Sequence, residues 1–138
     1  MATAHQLIVV ADPDALAKAA FERLTARIAA NDGRIAICLA GGSSPKKLHE
    51  LLATDDPRAG IPWGRIYWFI GDERFVRSNN PLNNMAMARR IVLERRAPAP
   101  NIHPIPTDVA SPNVAAARRA GAERPISLIR RARCSIWC

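Results

Sequence analysis

The chain has 138 residues, of which 49% are hydrophobic and 23% charged, and its formal net charge is +8. This length and composition suit one folded domain and exclude a largely disordered chain. No apolar run reaches the ~18 residues of a membrane-spanning helix, and the N-terminus lacks the basic start of a secretory signal. We therefore expect a cytoplasmic protein without a membrane partner.

The excess positive charge is concentrated towards the C-terminus. Residues 109–138 carry six arginines and one acidic residue, Glu123, whereas residues 1–108 carry 14 Lys and Arg against 11 Asp and Glu. No recognisable nucleic-acid-binding module accompanies these arginines. We therefore expect no nucleic-acid partner, and the sequence does not indicate an oligomeric state.

The first part of the chain predicts two strands separated by a helix. Residues 7–10 are a short apolar run that predicts a buried strand. Asp12 is expected to cap a helix with Pro13 at its first position. One face of this helix is apolar at every fourth residue: Leu16, Ala20, Leu24 and Ile28. Residues 35–40 predict a second strand, with helices covering both of its faces.

A glycine-rich turn and a further helix follow the second strand. Gly41, Gly42 and Ser43 form the turn, Ser44 is expected to cap the helix, and Pro45 suits the first helical position. Backbone N–H groups and the helix dipole converge at such a turn, which makes it a candidate anion site. The alternative is a tight turn that needs glycine only for its backbone angles. Neither a Walker A motif nor a GxGxxG pattern is present, so a nucleotide is not specifically indicated.

A third predicted strand, residues 66–70, runs directly into the charged loop GDER at residues 71–74. Arg74 could clamp a phosphate, and Asp72 could orient a polar group or exchange a proton. The alternative is a solvated loop whose charges pair with one another. Because ligands of open α/β sheets bind at the carboxyl ends of strands, two such loops on neighbouring strands indicate a site.

The remaining sequence predicts a helix, an extended segment and an irregular tail. Asn83 or Asn84 is expected to cap the helix, and residues 101–106 are extended because residues before proline avoid helix. The apolar face of this helix is formed by Met85, Ala88, Ile91 and Val92. Repeated strand–helix units of this kind predict an α/β fold with a parallel sheet flanked by helices.

The three histidines are not expected to be catalytic. His49 lies in a helix pattern, His5 in the N-terminal segment and His103 among prolines. Neither a serine nor a cysteine nucleophile motif lies near any of them.

Four segments resemble, in order and spacing, the N-terminal half of the 6-phosphogluconolactonase family. They are CLAGGSSPKKLHELLA (38–53), IPWGRIYWFIGDERFV (61–76), NNPLNNMAMARR (79–90) and NIHPIPT (101–107). The resemblance covers about residues 5–117. It implies a Rossmann-like sheet, incomplete in this chain, and hydrolysis of 6-phospho-D-glucono-1,5-lactone to 6-phosphogluconate in the pentose phosphate pathway.

The resemblance also implies a set of site residues. Asp72 would support catalysis, the partner would be a small sugar phosphate, and neither a metal nor an organic cofactor would be needed. The phosphate- and substrate-binding residues would be Gly41, Gly42, Ser43, Ser44, Arg74 and Asn84.

The family continues with a segment ending Asp-Gly-His, whose histidine is the general base, and this sequence has no such segment. Residues 1–110 are therefore expected to be the N-terminal part of such a domain, truncated and without lactonase activity. The alternatives are a relative of the glucosamine-6-phosphate deaminases and isomerases, or a non-catalytic sugar-phosphate-binding fragment. The motif GDERFV favours the lactonase, since the deaminases tend to have an aromatic residue where Arg74 stands.

Residues 111–138 are expected to be an irregular tail. Residues 114–119 could continue as helix, but the last stretch, residues 123–138, is rich in arginine and follows neither helical nor strand periodicity. We hypothesise that a frameshift produced it, with a divergent natural C-terminus as the alternative.

Overall fold

The computed structural model describes residues 6–54, 60–122 and 135–137. Its strands form one parallel sheet in the order β3-β2-β1-β4, which confirms the predicted α/β class. The strands are β1 (Ile35–Leu39), β2 (Ile66–Ile70), β3 (Ile102–His103) and β4 (Ser135–Trp137). The helices are α1 (Pro13–Ala29), α2 (Ser43–Ala53), α3 (Asn84–Ala88), α4 (Glu94–Arg96) and α5 (Pro112–Ala122). A π-helical turn, Arg89–Leu93, joins α3 to α4, and short 3-10 turns occupy Trp63–Arg65 and Ala99–Asn101. None of the described helices is long and apolar enough to cross a membrane.

The first helix forms as its sequence predicts. The side chain of Asp12 accepts a hydrogen bond of 2.7 Å from the backbone N–H of Ala15, and Pro13 occupies the first turn. Leu24 and Ile28 are buried in the core that includes the central strands, and Ala17 is buried as well. Leu16, which was expected on the buried face, remains 45% exposed.

The two central strands alternate between fully buried and half-buried residues. The fully buried positions are Ile35, Ile37, Leu39, Ile66, Trp68 and Ile70. Leu48 and Leu52 of α2 join them in the core. Met85, Ala88 and Val92 are buried in the same core, which confirms most of the apolar face predicted for that helix, and Ile91 is partly buried beside them.

The register of β1 and β2 determines where the loops begin. Ile35 pairs with Ile66 and Leu39 pairs with Ile70, so both strands end at one edge of the sheet. The N–H of Gly71 donates to the carbonyl of Leu39 at 2.9 Å and extends this ladder by one residue. The loops that follow the two strands therefore start side by side.

The predicted strand at residues 7–10 is wrong. These residues form no strand, and Leu7 and Val9 are 87% and 83% exposed. A strand needs a hydrogen-bonded neighbour, and within the described sheet both sides of β1 and β2 are already paired. The apolar run alone could not reveal that these pairing positions were taken.

The helix that the sequence allowed at residues 114–119 is present as part of α5, and β4 lies in the stretch that was expected to be irregular. Ser111 precedes α5, and its hydroxyl accepts a hydrogen bond of 3.3 Å from the N–H of Val114. Ala115 buries one face of this alanine-rich helix, and β4 pairs with β1 from Ala36 to Cys38. Residues 123–134 and 138 lie outside the described residues. The frameshift hypothesis stays a prediction for the gene sequence to test.

His49 gives the fold a predicted dependence on pH. Its imidazole is fully buried on α2, and neither ring nitrogen has a hydrogen-bond partner among the described residues. Burial lowers the pKa of His49 from its ordinary 6.5 to about 4. The folded state therefore resists protonation at pH values where the unfolded chain accepts a proton, so stability is full above pH 6.5 and declines as the pH falls towards 4.

We expect the free energy of unfolding to fall by about 2 kcal/mol from this residue between pH 7 and pH 5. Urea titrations at the two pH values measure it, and His49→Leu should flatten this part of the pH dependence. An unchanged slope in that variant would contradict the assignment.

Candidate functional site

The turn after β1 is shaped by a glycine that no other residue replaces easily. Gly42 has a φ of 105°, in the region that L side chains rarely adopt, and it is the N-cap of α2. The prediction that Ser44 caps this helix is wrong, because α2 already begins at Ser43 and places Ser44 inside its first turn. Glycine supplies the required backbone conformation at the cap position, so the helix starts two residues earlier than the serine pattern indicated.

The N-terminus of α2 is left open by this arrangement. No side chain caps it, and its first turn contains no acidic residue. Ser43 and Ser44 are exposed to solvent. The unpaired N–H groups and the positive end of the helix dipole therefore face the sheet edge with two hydroxyl groups beside them.

Glu73 anchors the loop after β2 to the start of α3. One carboxylate oxygen accepts hydrogen bonds from the N–H groups of Asn84 at 2.6 Å and Arg74 at 3.0 Å. The other oxygen accepts from the N–H of Met85 at 2.9 Å. Asn83 completes the helix start as its N-cap, accepting from Ala86 at 2.8 Å. The negative charge of Glu73 thus stabilises a helix N-terminus.

Sequence reasoning noted the acidic character of the GDER loop but missed this role of Glu73. Little in the sequence indicates this contact, because the carboxylate of Glu73 binds the start of a helix that begins 11 residues later in the chain. Such a contact depends on how the loop folds back and not on local spacing.

The side chain of Asn84 joins the two predicted loops. Its Oδ1 accepts a hydrogen bond from Nη1 of Arg74 at 2.7 Å, and its Nδ2 donates to the carbonyl of Asp72 at 3.1 Å. The same amide lies against Gly41, where an added Cβ would stand 1.9 Å from Oδ1. Asn84 is only 4% exposed, so this bridge is shielded from water.

The structure therefore brings the predicted site residues to one edge of the sheet. Gly41, Asp72, Arg74 and Asn84 meet directly, and Gly42, Ser43 and Ser44 follow Gly41 into α2. The side chains of Asp72 and Arg74 are exposed. Nη1 of Arg74 is bonded to Asn84, and the side chain is exposed to solvent. A side chain that contacts a ligand needs such exposure.

The described histidines make contacts of their own and no hydrogen bond to these loops. His49 is in the core, and His103 stacks on Phe69 with ring centroids 4.8 Å apart. Burial, together with the positive charge of Arg119, lowers the pKa of His103. His5 lies outside the described residues.

The fold and this strand-end site define a Rossmann-like α/β protein. Residues 11–127 match the family described as glucosamine-6-phosphate isomerases/6-phosphogluconolactonase, and the chain belongs to this family. The match continues ten residues beyond residue 117, where the sequence resemblance was expected to stop.

Known proteins of this family are similar to the chain over part of their length. The 6-phosphogluconolactonase of Synechocystis is 40% identical over 113 residues, which are 79% of this chain and 45% of the relative. That of Nostoc is 45% identical over 87 residues, 62% of this chain and 35% of the relative. The chain thus spans less than half the length of these relatives.

Solved structures show the same relationship. The 6-phosphogluconolactonase from Trypanosoma cruzi superimposes with a TM-score of 0.73 at 29% identity, covering 94% of this chain and 52% of that one. A monomeric glucosamine-6-phosphate deaminase superimposes with a TM-score of 0.70 at 12% identity, covering 84% and 48%. The second likeness concerns the fold alone.

The contact between Gly41 and Asn84 gives a direct test of the bridge. Gly41→Ala should displace the Asn84 side chain, break its bonds to Arg74 and Asp72, and lower the free energy of unfolding by about 2–3 kcal/mol. Gly64→Ala is the matched control, because no heavy atom lies within 4 Å of its added Cβ.

The same substitution in an Asn84→Ala background should cost much less, since the clashing group is gone. Urea unfolding of the four proteins in this cycle, with Gly64→Ala alongside, measures the coupling. Strict additivity, or equal effects at the two glycines, would show that Asn84 does not pack on Gly41 as described.

Proposed function

We propose that this chain provides the phosphate- and sugar-binding part of a 6-phosphogluconolactonase. The observation that carries the proposal is the Asn84 bridge, which holds the turn at Gly41 and the loop at Asp72 and Arg74 as one unit. The similarity to relatives named as 6-phosphogluconolactonases supports the choice of substrate. The substrate is then 6-phosphogluconolactone and the product 6-phosphogluconate.

The phosphate would bind at the open N-terminus of α2. Its charge suits the positive end of the helix dipole, and the hydroxyls of Ser43 and Ser44 can donate to its oxygens. Gly42 allows the backbone N–H groups to approach the ligand closely. Arg74 would add a cationic side chain from the neighbouring strand end, held in place by Asn84.

Lactone hydrolysis needs more than these groups. A water molecule attacks the C1 carbonyl and an oxyanion forms. The bond from C1 to the ring oxygen then breaks, which leaves a carboxylic acid at C1 and, after the ring oxygen takes up a proton, a hydroxyl group. A base must accept the proton of the attacking water, and losing such a base costs about 10²- to 10⁴-fold in rate. Asp72 is exposed at the strand end and could support this chemistry, whereas His49 and His103 lie in other contacts.

We therefore infer that residues 1–138 alone bind the sugar phosphate but do not hydrolyse the lactone above its spontaneous rate. Within the described residues, His49 is buried in the core and His103 stacks on Phe69, and neither is hydrogen-bonded to the loops at Gly41 and Asp72. The segment ending Asp-Gly-His, which carries the base in the family, is not present in this sequence.

The test combines binding with turnover. We expect the chain to bind 6-phosphogluconate in a calorimetric titration, and Arg74→Ala to weaken the affinity about 10- to 100-fold because a charged hydrogen-bond donor is lost. Arg77→Ala is the matched control on the same loop and should change the affinity less than about twofold.

Freshly prepared lactone should disappear in the presence of the chain at its spontaneous rate. Turnover well above that rate and abolished by Arg74→Ala would refute the missing-base inference. Absence of any 6-phosphogluconate binding by folded chain would refute the binding proposal itself. Tighter binding of glucosamine 6-phosphate would favour the deaminase alternative.

A further inference from the structure

Arg119 reaches the same sheet edge from a helix that sequence reasoning left out of the site. It lies on α5, is half-buried, and its Nη1 donates to the carbonyl of Ile70 at 2.9 Å. Ile70 is the last residue of β2, directly before the GDER loop. A long-range contact thus connects α5 to the start of the candidate site.

The position of this carbonyl explains why an arginine is useful there. The pairing of β2 with β3 ends where Phe69 meets His103, one residue before Ile70. The next carbonyl along this side of the strand therefore lies beyond the β2–β3 ladder. A buried carbonyl without a partner is costly, and the guanidinium of Arg119 meets this need.

Three consecutive residues at this point each have a main-chain group held by a different element. The carbonyl of Ile70 accepts from Arg119, the N–H of Gly71 donates to Leu39 on β1, and the carbonyl of Asp72 accepts from Asn84. Glycine is the most flexible of residues, so the chain direction at Gly71 depends on these flanking bonds.

Arg119 also lines a pocket of about 390 Å³ between α5 and the loop. Its lining includes Gly71, Glu73, Phe75, Ile105, Thr107 and Arg119. This space separates much of α5 from the loop. The hydrogen bond from Arg119 to the carbonyl of Ile70 links α5 to the loop across this separation. Its positive charge also contributes to the lowered pKa of His103 on the adjacent strand.

We propose that Arg119 is a positioning residue, which together with Asn84 fixes the Gly71–Arg74 loop and so prepares Asp72 and Arg74 for a sugar phosphate. The ligand part of this proposal rests on the proposed function. The ordering of the loop stands independently of any ligand.

Arg119→Met tests the ordering, because it keeps the apolar stem and removes the guanidinium. Amide hydrogen exchange at residues 72–74 should become about tenfold faster, as expected for the loss of one charged hydrogen bond. Exchange at Ile37 in the core of β1 should stay unchanged. Arg118→Met, at the exposed neighbouring position, is the matched control and should leave both unchanged.

Two further readouts separate positioning from general stability. The pKa of His103, followed by NMR, should rise in Arg119→Met and stay low in Arg119→Lys, which retains the charge. The lysine variant should also recover part of the slow exchange at residues 72–74. Affinity for 6-phosphogluconate should weaken about tenfold in Arg119→Met and less in Arg119→Lys.

Loop exchange that stays within about twofold of wild type in Arg119→Met, or that accelerates equally at Ile37, would overturn the proposal. If the wild-type chain does not bind 6-phosphogluconate, the proposed function fails, and the exchange measurement still decides whether Arg119 orders the loop.

Discussion

The candidate site depends on one buried amide. Asn84 has an acceptor and donors to satisfy, and its contacts with Arg74 and the carbonyl of Asp72 use one of each. A buried hydrogen bond contributes about 1 kcal/mol, but leaving such a group unpaired costs more, so the bridge tolerates little movement. The absence of a side chain at Gly41 lets this amide approach the first loop closely. Two loops from different strands are thereby held in one arrangement.

Asn84 can contact both loops because both begin at the same edge of the sheet. Parallel pairing from Ile35 with Ile66 to Leu39 with Ile70 makes β1 and β2 end level with one another. Glu73 then fixes the start of α3, and with it the backbone of Asn84, through bonds to two N–H groups of that helix. Packing of the core thus determines how the two loops are arranged at the edge of the sheet, and in this arrangement Arg74 remains exposed.

Local patterns in the sequence were sufficient for much of this fold. The apolar runs at β1 and β2, the cap at Asp12 and the glycine turn at Gly42 each act within a few residues, so their structural consequences could be predicted. The site residues taken from the family resemblance also meet at one edge of the sheet. Their binding roles remain predictions.

What the sequence did not reveal depends on tertiary contacts. The apolar run at residues 7–10 forms no strand of the described sheet. The bonds of Glu73 and Arg119 span 11 and 49 residues along the chain, and no local pattern encodes them. The start of α2 was misplaced by two residues because Gly42, and not Ser44, takes the cap.

The central claim is that the two loops form a single binding unit. An NMR titration with 6-phosphogluconate tests it most directly, by following the backbone amides of residues 41–44 and of Arg74 in the same sample. The account predicts that both groups of signals shift together and yield one dissociation constant. Shifts confined to one loop, or two different dissociation constants, would contradict it.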